Sequence, residues 1–232
     1  MMEQMGKKIL LISAVLFALG FVKPAHAANC SFGKETAELQ TLKSGEDVDK
    51  ELTLRKNILY GILDCLSTST EKLKSNYDSL PFVQAAQNLR TRFLDEIKGN
   101  NFFYAEKRKE LNMANLSDTK SIAKELLTWK KNHENNLLAA SYFTLWAGSQ
   151  DFLKRAEDRL AQINGLILKQ NDQNNLGKAK NSLSLSESLN ISAQESFERS
   201  VPPDDSLALI KQSLEKMYDS YRYFIKISDS QN

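Results

Sequence analysis

Histidine is the scarcest group able to move a proton or hold a metal near neutral pH, and the chain has two, His26 and His133. His26 lies in a segment expected to be cleaved off, so His133 alone is left for acid–base or metal chemistry. It stands in Lys130-Lys131-Asn132-His133-Glu134-Asn135-Asn136, a polar heptad that reads as a solvated surface. A Ser-His-Asp or Cys-His arrangement would have to use this ring, and a solvated imidazole among charges does not activate a nucleophile. One histidine cannot supply the paired Glu-x-x-His motifs of a di-iron bundle. Haem attachment and His-rich zinc sites fail on the same inventory, and no Gly-rich phosphate loop occurs. The expectation is therefore a protein with no catalytic residue, no metal ligand set and no cofactor.

The carboxylate pairs are Asp95-Glu96, Glu157-Asp158 and Asp204-Asp205. Helix neighbours point about 100° apart, so the first two pairs do not share an acid–base site. Asp204-Asp205 suits a helix start, where the dipole favours negative charge. Trp129, Tyr142, Phe143, Trp146 and Phe152 recur at helical spacing, the pattern of a core, although a cleft for an apolar or sugar ligand lined by Trp146 has the same residues available. Near the C-terminus, Tyr221 and Phe224 fall on an inward face, leaving Tyr218 and Tyr223 nearer a rim where a partner can dock. Trp146, Tyr218 and Tyr223 are the candidate ligand or partner contacts.

Residues 1–27 have the order of a secretory signal. Lys7 and Lys8 precede the uncharged Ile9–Val22 stretch, and Ala25-His26-Ala27 supplies small residues before a cut ahead of Ala28. Fourteen residues at ~1.5 Å each reach about 21 Å, short of the ~30 Å hydrocarbon core. Cleavage removes Lys7, Lys8, Lys23 and Glu3, taking the 31 basic and 29 acidic residues to 28 of each. A neutral mature chain lacks the concentrated positive charge that nucleic acid or an anionic membrane requires. The dense run Lys107-Arg108-Lys109 is flanked by Glu106 and Glu110 and reads as a solvated helix face. No later segment is apolar enough to cross a membrane, and the expected location is the periplasm or cell surface.

Export also decides how the cysteines read. Cys30 and Cys65 are the only two, and in an oxidising compartment a disulfide between them is favoured over two thiols. Asn29 stands where a lipoprotein signal would have Gly or Ala, which argues against lipid attachment at Cys30. Closing the loop contributes on the order of 3–4 kcal/mol. Cys65 lies about 20 residues, or ~30 Å, up a helix starting near Asp47. A short helix over Lys34–Leu42 and a few extended residues cover most of that distance if the arm folds back antiparallel.

These side chains need helices to position them. Few Gly and Pro and abundant Leu, Lys, Glu and Ala give an all-α composition, and residues 28–232 suffice for one domain, with 28–45 an arm stapled to the first long helix. Asp47 caps a helix with the stripe Leu52, Leu59, Leu63, Leu66, Leu73, Tyr77 and Leu80. Pro81 opens another with Phe82, Ala86, Leu89, Phe93, Ile97, Tyr104 and Leu111, kinked or broken at Gly99-Asn100-Asn101. Asn112–Leu116 is a loop, and Ser117 or Asp118 caps the central segment. There Ile122, Leu126 and Trp129 form one stripe, and Tyr142, Leu145, Ser149, Leu153, Ala156, Leu160, Ile163 and Ile167 form the next. The polar heptad between them permits one helix of about 50 residues or two pieces. Lys169–Gly177 reads as a linker. Leu185, Leu189, Ala193 and Phe197 space as a helix, despite the strand-like alternation of residues 182–186. Asp204 then caps a last helix with Leu207, Ile210, Leu214, Met217, Tyr221, Phe224 and Ser228 in register. Three Asn-x-Ser tripeptides, at Asn29, Asn115 and Asn190, are of a kind frequent by chance.

Trp129, Leu145-Trp146, Gln150, Phe152-Leu153, Ala156, Arg159-Leu160 and Ile163 together resemble a group of uncharacterised exported helical proteins of ultra-small, reduced-genome bacteria. The resemblance covers about a quarter of the chain and implies an all-helical export product. That group has no known activity, so no functional residue is carried over. The expected fold is an elongated helical bundle of about five helices with coiled-coil-like packing. The expected role is non-enzymatic, through protein partners at the cell envelope; the alternative is a ligand-binding module with an apolar cleft between the central and last helices.

Overall fold

The computed structural model describes residues 33–42, 47–80, 86–165, 170–199 and 201–230. Among them are six helices and no strand: α1 (Gly33–Thr41), α2 (Val48–Asp78), α3 (Gln87–Met113), α4 (Leu116–Asn164), α5 (Gln170–Glu198) and α6 (Pro203–Ser230). The fold is all-α, with a helix count close to the expected five. The signal segment, Cys30 and Pro81 lie outside the described residues.

The 49 residues of α4 make a spine about 74 Å long, so the polar heptad does not divide it. The heptad holds no Gly or Pro to break a helix, and within it Lys130 pairs with Glu134 one turn on. One end of the spine packs against α2 and α3, the other against α5 and α6, and all four helices meet it at the waist. Three cores lie along it. Leu59, Leu63, Tyr104, Leu111, Ile122 and Leu126 fill one end. Tyr77, Phe93, Phe143, Trp146, Phe197 and Ile210 fill the waist. Leu153, Ile163, Leu176, Leu183, Met217 and Phe224 fill the other end. At the waist α4 is buried almost all round, because helices from both halves close on it.

Local chemistry sets the helix ends. Asp47 accepts from the Lys50 amide at 2.9 Å, as expected of an N-cap. The α4 cap is Asn115 rather than Ser117 or Asp118. Its side chain accepts from the Ser117 and Asp118 amides, and the Asp118 carboxylate accepts from the Asn115 amide, a reciprocal capping box. Asp204 lies inside the first turn of α6 and is not its cap; a carboxylate there still complements the dipole. Helix α5 begins at Gln170, so most of the expected linker is helical, anchored by buried Leu176. Helix α3 runs unbroken through Gly99-Asn100-Asn101. In the arm, α1 lies against α2 with Glu38 3.0 Å from Lys50; Leu39 is half-buried but Ala37, expected inside, is exposed.

The hairpin of α5 and α6 departs furthest from the sequence reading. Its buried positions alternate by three and four, through Leu176, Ala179, Leu183, Ser186, Asn190, Ala193 and Phe197, and Ser206, Ile210, Ser213, Met217, Ser220, Phe224 and Ile227. That is the spacing of a coiled-coil seam. Small residues recur along it, so the serine hydroxyls reach across: Ser186 Oγ donates to the Ser213 carbonyl and Ser213 Oγ to the Ser186 carbonyl, each at 2.9 Å. Leu185, expected inside, is 54 % exposed, whereas Leu183 is 5 % exposed. Leu207, Leu214 and Tyr221 are only half-buried. Where the seam is serine or asparagine, apolarity placed the stripe one position away; at Ala193, Phe197, Ile210, Met217 and Phe224 it fell on the seam. This register predicts that Leu183→Ala lowers stability by about 2–4 kcal/mol while Leu185→Ala stays within about 0.5 kcal/mol. Urea midpoints at unchanged m-value check both.

Candidate functional site

A connected group of polar and aromatic side chains lies where α3 meets the first half of the spine. Glu96, Asn100, Phe103, Tyr104 and Lys107 recur at three- and four-residue steps on α3, hence on one face. Trp129 and His133, one turn apart on α4, meet that face. Asn100 is 1 % exposed and is its hub. The amide nitrogen donates to the Glu96 carbonyl at 2.8 Å and to Glu96 Oε1 at 3.1 Å. Asn100 Oδ1 accepts from the Trp129 indole N–H at 2.9 Å and the Tyr104 hydroxyl at 3.1 Å. Burial, with the charge of Glu96 second, pushes the Tyr104 phenol up to about 12, so it remains a donor. The stretch expected to kink is thus a helical turn whose buried amide satisfies three neighbours.

On this hub stands a column of rings. Phe103 stacks on Trp129 with centroids 4.0 Å apart and planes 8° apart, and His133 stacks on Trp129 at 3.9 Å and 18°. Two rings that close would overlap on one face, so the indole is sandwiched between them. His133 Nδ1 lies 2.5 Å from Glu96 Oε1, and the Asn136 amide donates to Glu96 Oε2 at 3.3 Å. His133 is therefore half-buried and fixed to α3, not a solvated surface ring. Its hydrogen-bond partner is a carboxylate on α3 rather than a serine or cysteine.

Beside the column a hollow of about 410 Å³ opens between the Phe103 and Trp129 rings and a rim that includes Ser121, Lys124, Thr128 and Asn132. Glu125 lines it too, and Lys107 lies 5.5 Å over the Phe103 ring and bridges Glu110 on α3 and Glu125 on α4. Burial opposes its charge, but the two carboxylates outweigh this and hold the lysine above its usual range. The Lys107 hydrogen bond in turn lowers Glu125. Of the basic run, Arg108 pairs with Asp64 and Lys109 with Glu106. The run is neutralised by neighbours, and Lys107 belongs to the helix interface rather than to a solvated face.

The residues singled out from sequence are not brought together. Trp146 is 2 % exposed, stacks on Phe143 at 5.3 Å and donates its indole N–H to the Asn190 carbonyl at 3.0 Å. It fills the waist rather than lining a cleft. Tyr218 is exposed on α6. Tyr223 is half-buried, with Lys178 and Lys226 at 5.9 and 5.5 Å from its ring, while Phe224 is buried. Cys65 is half-buried on α2, and its expected partner Cys30 is outside the described residues. Glu157 and Asp158 are exposed; burial first, then Glu187 and Asp158, raises the Glu157 carboxyl. Asn190 of the Asn-x-Ser tripeptides is buried and donates to Ser213 Oγ at 2.7 Å. Sequence reading missed Glu96, Asn100 and Phe103 as a group, although their shared helical face with Tyr104 was visible. No family model matches the chain, nor does any curated protein or solved structure.

Proposed function

We propose that the chain is an exported, non-enzymatic helical scaffold that works by contact with other proteins at the cell envelope. The observation that carries this reading is the packing of Trp146. The side chain best suited to anchor a ligand between the central and last helices is occupied by the waist core, and exposed aromatic surface lies on the flanks, at Phe102 and Tyr218. Residues 1–27 act as the export signal in this reading. The Cys30–Cys65 staple belongs to it too, since an oxidising compartment favours a bridge between the two cysteines of the chain. Alkylation of the unreduced exported protein, read by intact mass, tests the staple; two modified thiols would remove it.

A ligand-binding role is the second reading, favoured by the hollow beside Trp129, between α3 and α4 rather than the helices first expected. Affinity capture of the mature chain from its native envelope, with mass spectrometry of proteins and small molecules, separates the two. A protein partner recovered in stoichiometric amount supports the scaffold. One stoichiometric small ligand without a protein partner overturns it.

A further inference from the structure

We propose that the His133–Glu96 contact is an acid-strengthened latch that stiffens the spine between its two packed halves. The need for a latch is visible along α4. Leu126 closes one core and Leu137 begins the next. Every residue from 127 to 136 is exposed except Trp129 and His133, which are half-buried. About 15 Å of helix is thus held sideways by the ring column and by hydrogen bonds to Glu96.

The contact is built to respond to a proton. A carboxylate accepts and cannot donate, so with Glu96 ionised His133 Nδ1 carries a hydrogen whether the ring is neutral or charged. Neutral, the ring donates to Glu96 from Nδ1 and Nε2 is bare. A proton added at Nε2 makes an imidazolium between the Glu96 carboxylate and the Trp129 face, with no movement required. The hydrogen bond becomes charge-assisted, and the stack gains a cation–π component. The surroundings do not compete. On α3, Tyr104 stays neutral, and Asn100 from α3 and Asn136 from α4 hold the carboxylate in place. On α4 itself, Lys130 and Glu134 pair with each other at 3.9 Å, and Lys131 is exposed. From α2, the uncharged Thr70 meets α3 at Asn101.

Hydrogen exchange on the full chain tests the latch, with rates corrected for the intrinsic effect of pH and the amides of 118–126 as internal reference. The interval from pH 8 to 5 brackets the range in which histidine side chains in general change charge. Exchange across 130–136 is expected to slow about two- to fivefold, the range of a partly exposed ion pair. His133→Gln and Glu96→Gln, both near-isosteric at half-buried positions, are each expected to abolish that slowing. A flat profile in the parent chain overturns the proposal, and so does slowing that persists in either variant.

Discussion

Replacing Trp146 with alanine is expected to lower stability by about 3–5 kcal/mol, the upper end of what one truncated core side chain costs. The ring is 2 % exposed, stacks on Phe143 and belongs to the waist where all the long helices converge on the spine. Its loss opens a cavity in the waist core and leaves the Asn190 carbonyl without the indole donor. Trp129→Ala should cost less, about 1.5–3 kcal/mol, because that ring is half-buried and its contribution rests on two stacks and one hydrogen bond. Equilibrium guanidinium unfolding followed by circular dichroism ranks the two. Equal losses would mean that the waist is not the keystone of the fold.

Asn100→Ala is expected to cost about 2–3 kcal/mol although it removes only a small side chain. The loss comes from what is left behind. The Tyr104 hydroxyl and Trp129 indole lose their acceptor, and the Glu96 carboxylate loses a donor. Each buried polar group without a partner costs about 1–3 kcal/mol, and access of water to half-buried Trp129 and Glu96 keeps the total near the lower end. Asn100→Asp separates polarity from shape. It keeps the acceptor for Trp129 and Tyr104 but sets a second carboxyl against Glu96. Like charges this close disfavour ionisation, so the folded state of this variant holds a proton that the unfolded chain releases. Its deficit should be smallest below the carboxylate range and grow as pH rises through it. A deficit independent of pH between 4 and 7 would count against the hub geometry.

Much of the fold is legible in the chain because helical burial repeats with a fixed period. The stripe Leu89, Phe93, Ile97, Tyr104 and Leu111 is buried throughout, and so are Leu59, Leu63, Leu73 and Tyr77 on α2. Apolarity at 3.6-residue spacing is a local property, and these positions needed no knowledge of their partners. Where the buried residue is polar, that reading fails. Ser186 and Ser213 are wholly buried, but a serine of this kind reveals its burial only when another backbone comes close enough to accept from its hydroxyl. At Ser186, Asn190, Ser206, Ser213 and Ser220 the α5–α6 seam was for that reason read one position away, while Ala193, Phe197, Ile210, Met217 and Phe224 fell on it.

The candidate site divides along the same line. The sequence by itself determined that the chain is helical, that one histidine remains after the expected cleavage, and that no familiar catalytic motif surrounds it. Its polar neighbours along the helix suggested a solvated ring, since a linear reading sees only the residues beside it. Only the tertiary structure decided that Glu96, 37 residues away, reaches His133 and that Trp129 is sandwiched between it and Phe103. It also decided that α4 crosses the polar heptad as one helix. The physical reason is common to all three: hydrogen bonds, ring stacking and burial between helices depend on which faces meet, and helix periodicity fixes the faces without fixing their partners.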